Sequence, residues 1–146
     1  MQWVQEADIL LVDGGDATYL CHWMRQSGLA DLLPSLTDTV WVGISAGSMV
    51  MTPRIGQDFV EWPAAPDDRT LAVVDFSIFP HLEAFPTNTM SHAERWAATI
   101  DGPACAIDEQ TAITVVDGRV DVVSEGHWTK SRRATTDAGL TDPAHS

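Results

Sequence analysis

The stretch Thr39 to Met51, TVWVGISAGSMVM, constrains this chain more than any other. It opens on an apolar run with β-branched and aromatic residues, Val40-Trp41-Val42. It turns through Gly43-Ile44-Ser45-Ala46-Gly47 and continues as a short helix-like run, Ser48 to Met51. This reads as a buried strand, a sharp turn and a helix start, with a serine at the turn. A nucleophile on such a turn sits in strained backbone with its hydroxyl projecting outward. The flanking positions call for glycine, because a side chain there would collide with the neighbouring strand or helix. The helix that follows points free backbone N–H groups at the serine, where an oxyanion could be stabilised. Without further context, a strand–helix connection with glycines for close packing would give the same pattern.

Two buried strands joined through helices imply a parallel α/β sheet. The first is Ala7 to Val12 (ADILLV), a continuous apolar run suited to burial on both faces. After Asp13-Gly14-Gly15-Asp16 comes a helix in which Tyr19, Leu20, Trp23 and Met24 fall at helical spacing. Asp16 or Thr18 can cap it, and Gly28 stops it. A second short helix, Leu29 to Leu36, leads to the serine strand. Pro53 to Arg69 reads as a polar, acidic loop, and Leu71 to Val74 as a short strand. An apolar run then ends at Phe79-Pro80-His81.

Ser91 to Ile100 is predicted helical. Ser91 and Glu94 match a capping box, and Ala93, Trp96, Ala97 and Ile100 mark a packed face. Ala104–Ile107 and Thr111–Val116 read as strands, and Asp117-Gly118 signals a hairpin into Arg119–Val123. One α/β domain over residues 1–130 and a disordered tail over 131–146 follow from this pattern. The parallel part has only about three strands, fewer than such a sheet usually holds. The sequence therefore predicts that N-terminal strands of the domain are missing from it.

Composition excludes some classes. Against 8 basic residues stand 21 acidic ones, a net charge of −13, which argues against nucleic acid or an anionic membrane as partner. Six tryptophans predict substantial aromatic packing. Cys21 and Cys105 form neither a disulfide framework nor a metal-binding spacing. With no signal-peptide pattern and no apolar run of spanning length, a cytoplasmic protein without metal or cofactor is expected.

An activated serine needs a base in hydrogen-bond reach and a group to orient that base. Of five histidines, His145 falls in the tail, and His22 and His92 fall in predicted helices. His127 follows the last predicted strand without evident purpose, and its loss is expected to cost little. His81 follows Pro80 at a strand end, where parallel sheets gather catalytic groups. The acid stays open: Asp58 and Glu61 both lie between serine and histidine. Gly14-Gly15 could let a backbone N–H approach a substrate closely as a second oxyanion donor, or could serve the turn alone.

Taken together, DGGDATYL, GISAGSMVM, FSIFPH and AIDEQTAITVVDG resemble the peptidase E (aspartyl dipeptidase) and cyanophycinase family of serine peptidases, over about Ala7 to Trp128. The resemblance implies the three-layer α/β/α fold of the class I glutamine amidotransferases. It implies Ser45 as nucleophile, His81 as base, and Gly15 with the Ala46 amide as oxyanion hole. Asp58 is the preferred acid, with Glu61 as alternative. Gly14, Asp16 and His92 stand on the substrate side. The amidotransferases carry cysteine where this chain has Ser45, which disfavours glutamine hydrolysis with ammonia transfer. Family aspartyl dipeptidases bind the substrate's aspartate through an arginine before the helix after the histidine. This chain offers His92 there, and Arg95 within the helix. The implied function is hydrolysis of a short peptide or related amide, and a homodimer is the assembly considered. The alternatives are an inactive truncated homologue or binding module with the same fold, or an esterase.

Overall fold

The structure, a computed structural model, describes residues 1–132. The helices are α1 (Gln2–Glu6), α2 (Ala17–Gln26), α3 (Leu29–Leu32), α4 (Ala46–Met49) and α5 (Met90–Thr99). The strands are β1 (Ile9–Val12), β2 (Val40–Gly43), β3 (Ser77–Phe79), β4 (Ala104–Ile107), β5 (Thr111–Val116), β6 (Arg119–Ser124) and β7 (Trp128–Ser131). Short 3₁₀ turns follow α3 (Leu33–Ser35) and lie in the long loop after α4 (Gln57–Phe59).

The chain is a mixed α/β structure with parallel strands, as its alternating elements imply. The parallel pairing comes in two pieces. β1 pairs with β2, and β3 pairs with β4, while β7 adds to β4 antiparallel. Among the described residues no ladder joins β2 to β3. β5 and β6 form the expected hairpin. Asp117 (φ 50°) and Gly118 (φ 79°) both adopt positive φ, the backbone that matches a two-residue turn to twisted strands.

Several sequence expectations are corrected. Leu71–Val74 is not a strand. Its amides instead return to the end of the α4 segment, Leu71 N to Val50 O and Val73 N to Met51 O. β7 was not expected; WTKS is short and half polar, and only its pairing with β4 makes it a strand. The predicted domain limit falls one residue before the end of β7, and the rest of the predicted tail, from residue 133, lies outside the described residues.

The cap of α5 is Thr89, whose hydroxyl accepts from His92 N at 3.1 Å. Ser91 lies inside the helix and accepts from Arg95 Nη1. On α2 the cap is Asp16, as expected, but the inward face is Ala17, Thr18, Cys21 and Met24. Tyr19 and Trp23 point outward and meet edge-on. Of the six tryptophans only Trp96 is fully buried, so buried aromatic packing concentrates in one place.

That place is the β3–β4 unit. Phe79, Leu82, Ala93, Trp96, Ile100, Ala104 and Ala106 form one buried cluster under α5. A second cluster, Ala17, Ala46, Met49 and Ile55, lies under the serine turn. Phe59 packs against both, its ring 5.3 Å from Phe79 and 6.3 Å from Trp96. A third, Cys21, Met24 and Val50, sits beneath α2 and α3. The strands β1 and β2, expected to be covered on both faces, are covered on one. Ile9, Leu11, Val40 and Val42 are exposed on the other.

Candidate active site

Ser45 sits between β2 and α4 with φ 54° and ψ −118°, a conformation costly for any residue other than glycine. The flanking glycines have the steric reason the sequence suggested. A Cβ on Gly47 would stand 1.9 Å from Val12 O, and one on Gly43 would stand 2.3 Å from Gly47 O. The turn is therefore pressed directly onto β1. Trp41 Nε1 donates to Gly47 O at 2.9 Å, and Ile44 N donates to Val12 O at 2.8 Å.

Ser48 N and Met49 N both fold back to Ser45 O, and Gly47 N donates to Ile44 O. The Ala46 N–H enters no hydrogen bond among the described residues, and neither does the Gly15 N–H. Gly14 and Gly15 follow β1 directly, and β1 runs beside β2 with Val12 opposite Gly43. Both glycines are exposed with nothing near their Cβ positions, and Gly15 has φ 113°. These are the two amides expected at an oxyanion site.

His81 begins the loop after β3, itself at positive φ (56°). The buried strand β3 packs against α4, which carries the histidine loop toward the serine turn. His81 Nδ1 is hydrogen-bonded to Glu109 Oε1. A carboxylate only accepts, so Nδ1 bears the proton, the tautomer that in a neutral ring leaves the lone pair on Nε2. Neither His81 Nε2 nor Ser45 Oγ makes a hydrogen bond among the described residues. Catalytic hydrogen bonds commonly tighten only once substrate is bound.

The sequence candidates for the acid stand elsewhere. Asp58 Oδ2 lies 2.9 Å from His92 Nε2, while His92 Nδ1 donates to Thr87 O at 2.8 Å. Both ring nitrogens of His92 are thus engaged within the protein, and its ring meets Phe79 edge-on. Glu61 contributes its backbone: its N–H and that of Trp62 donate to Asp16 Oδ2 at 2.7 and 3.1 Å.

Asp16 Oδ1 accepts from Tyr19 N and Thr18 Oγ1. Burial raises the Asp16 pKa, but these four donors outweigh it and hold the carboxyl below its ordinary value. With both oxygens occupied, Asp16 ties the long loop to α2. Asp68 does similar work: it is buried, and Arg54 grips it through Nε and Nη2 while Gly56 N donates to Oδ2 at 3.0 Å. Burial alone would raise its pKa; the Arg54 hydrogen bond and charge bring it below the ordinary value.

Glu109 is the residue that sequence reasoning missed. It lies in the turn between β4 and β5, in the AIDEQT segment, at a strand end beside the one that delivers His81. The only available signal was a carboxylate immediately past a parallel strand end, and chain distance from His81 hid it.

The sequence profile of peptidase family S51 matches residues 1–123. The chain belongs to peptidase family S51. No curated protein sequence matches it. Among solved structures it resembles a protein of Listeria monocytogenes EGD-e described as a candidate peptidase E. The TM-score is 0.72 at 20% identity, covering 86% of this chain and 63% of that one. It also resembles a peptidase from an acI-B1 Actinobacterium, with TM-score 0.56 and 20% identity, covering 90% of this chain and 52% of that one. At such identities the likeness establishes a shared fold. The S51 chain described here spans between about half and two thirds of the length of these neighbours. The family match, over residues 1–123, includes the serine turn, the His81 loop and the Glu109 turn.

Proposed function

We propose that this chain carries the catalytic apparatus of a serine peptidase acting on a short peptide or related amide. Ser45 Oγ attacks the carbonyl, His81 Nε2 takes the proton and returns it to the leaving amine, and the Gly15 and Ala46 amides receive the oxyanion. Glu109, in place of Asp58 or Glu61, holds His81 in the required tautomer. The observation that carries this reading is the His81 Nδ1–Glu109 pair, in a chain whose serine stands in strained backbone on a glycine-flanked turn. The same reading places the strands in a three-layer, class I glutamine amidotransferase-like arrangement and the protein in the cytoplasm. No helix among the described residues is long and apolar enough to cross a membrane.

His92 is fully engaged and Arg95 is turned to Ser91, so a substrate aspartate has no evident cation to meet from these two residues. A neutral peptide end is the substrate class this supports better.

The test is hydrolysis of a panel of fluorogenic dipeptide amides. Ser45→Ala should abolish turnover, and His81→Ala should lower kcat by about 10⁴-fold or more, the scale of losing a triad member. Alanine at either position should leave the circular dichroism spectrum unchanged. Turnover retained in Ser45→Ala would overturn the assignment. A chain that binds peptides without any turnover, while labelling no serine, would support the binding-module alternative.

A further inference from the structure

His127, without evident purpose in the sequence alone, closes a ring of contacts around the His81–Glu109 pair. Its ring Nδ1 lies 2.7 Å from Glu83 Oε2, two residues beyond His81. Its backbone N–H donates to Asp108 Oδ2, one residue before Glu109, and its carbonyl accepts from Asp108 N at 3.2 Å. The same Asp108 carboxylate accepts from Gln110 N at 3.0 Å and Thr111 Oγ1 at 2.7 Å, so Glu109 sits inside a turn closed by Asp108. Gly126 is required for this approach, since a Cβ there would stand 2.1 Å from Asp108 Oδ2. On the other side, Glu83 N donates to Asn88 O at 2.6 Å, and Leu82 N donates to Ile107 O at 2.9 Å. The histidine loop and the Glu109 turn are therefore joined twice: directly through His81–Glu109, and again through Glu83–His127–Asp108.

We propose that His127 is a positioning residue for the His81–Glu109 pair, acting through Glu83 and Asp108, and that loss of its proton makes the efficiency of His81 fall at alkaline pH. This rests on the peptidase reading above. The charged groups facing the His127 ring are Glu83 from the histidine loop and Asp108 from the β4–β5 turn. The Glu83 hydrogen bond, then its charge, raises the His127 pKa above the ordinary value. The sign follows: the charged brace is complete below the ordinary histidine value and weakens as pH rises through the raised one. His127 and Glu83 are exposed, so the brace adds little to global stability. Its effect is on alignment, where a small misplacement costs rate.

Two variants separate the roles. His127→Ala keeps the backbone bond to Asp108 and removes the link to Glu83. His127→Asn keeps a donor near the Nδ1 position and removes the titration. In His127→Ala, kcat should fall roughly threefold to tenfold with KM unchanged. In His127→Asn, kcat should be near the wild-type neutral value and should lose the wild-type alkaline decline.

A readout independent of turnover is the exchange rate of the His81 Nδ1 proton, followed by NMR in histidine-labelled protein. Exchange should accelerate in His127→Ala and stay slow in His127→Asn. Unchanged proton exchange in His127→Ala overturns the inference, whether or not the chain hydrolyses peptides. Absence of Ser45 reactivity in the wild type, with exchange behaving as stated, would count against the peptidase reading alone.

Discussion

The serine and the histidine come from halves of the molecule that are dressed very differently. β3 is buried along its whole length; its Phe79 and Trp96 of the covering helix α5 are 0% and 1% exposed. β1 and β2 are no less apolar, yet Leu11 is 67% and Val40 57% exposed. Their one covered face holds the serine turn by backbone contact, Gly47 against Val12, more than by side-chain volume. The histidine half is a packed core that ends in the His81 loop. The serine half is a precisely bent turn on a thin support. What joins them is the loop after α4. Phe59 bridges the two clusters, and Trp96 Nε1 donates to Ile55 O at 2.8 Å. Asp16 fastens the loop to α2 and Asp58 fastens it to His92 of α5, while Asp68 ties two parts of the loop together through Arg54 and Gly56.

This contrast predicts unequal responses to substitution. The largest falls in the covered half. Trp96→Ala opens the main cluster and frees Ile55 O, and should cost about 3–5 kcal/mol of unfolding free energy, read by urea titration. A smaller loss is expected at the joint. Asp68→Asn should cost about 2 kcal/mol at neutral pH, discounted because Arg54 is more than a third exposed. Because the Asp68 and Asp16 pKa values are lowered, their contribution is present above the ordinary carboxylate range and is lost as pH falls through the lowered values. Asp68→Asn should therefore flatten the acid side of the stability profile. An unchanged acid limb would show that the loop is not held there.

The smallest effect on stability is expected in the bare half. Leu11→Ser should change unfolding free energy by under about 0.5 kcal/mol. It should, however, reduce self-association seen by sedimentation velocity, because an apolar sheet face without cover invites contact with another copy. A loss comparable to that of Trp96→Ala would mean the two halves are equally covered, and the comparison would fail.

Much of this was legible in the sequence, and the reasons for the rest are physical. The serine turn, the Asp16 cap, the α5 core face and the Asp117-Gly118 hairpin all rest on short-range rules, and the structure contains each of them. The apolar runs of β1 and β2 announced strands, but a run says what a face would bury, never whether something covers it. Leu71–Val74 has strand composition, yet its amides are taken by the end of the α4 segment. Asp58 and Glu61 lay between serine and histidine in chain order, while Glu109 reaches His81 through the parallel pairing of β3 with β4, a contact across 28 residues. Sequence order favoured a different neighbourhood because sheet pairing, which sets proximity to His81 here, is not written locally.

The central claim is that Glu109 in the covered half, and not Asp58 in the joint, prepares His81 to activate Ser45. The most direct measurement is the second-order rate of fluorophosphonate attachment to Ser45, followed by intact-protein mass spectrometry in the wild type, Glu109→Gln and Asp58→Asn. The account predicts that Glu109→Gln slows labelling at least tenfold, the direction expected when the orienting acid of a triad is neutralised, while Asp58→Asn labels within about twofold of the wild type. Slow labelling in Asp58→Asn with a wild-type rate in Glu109→Gln would contradict it.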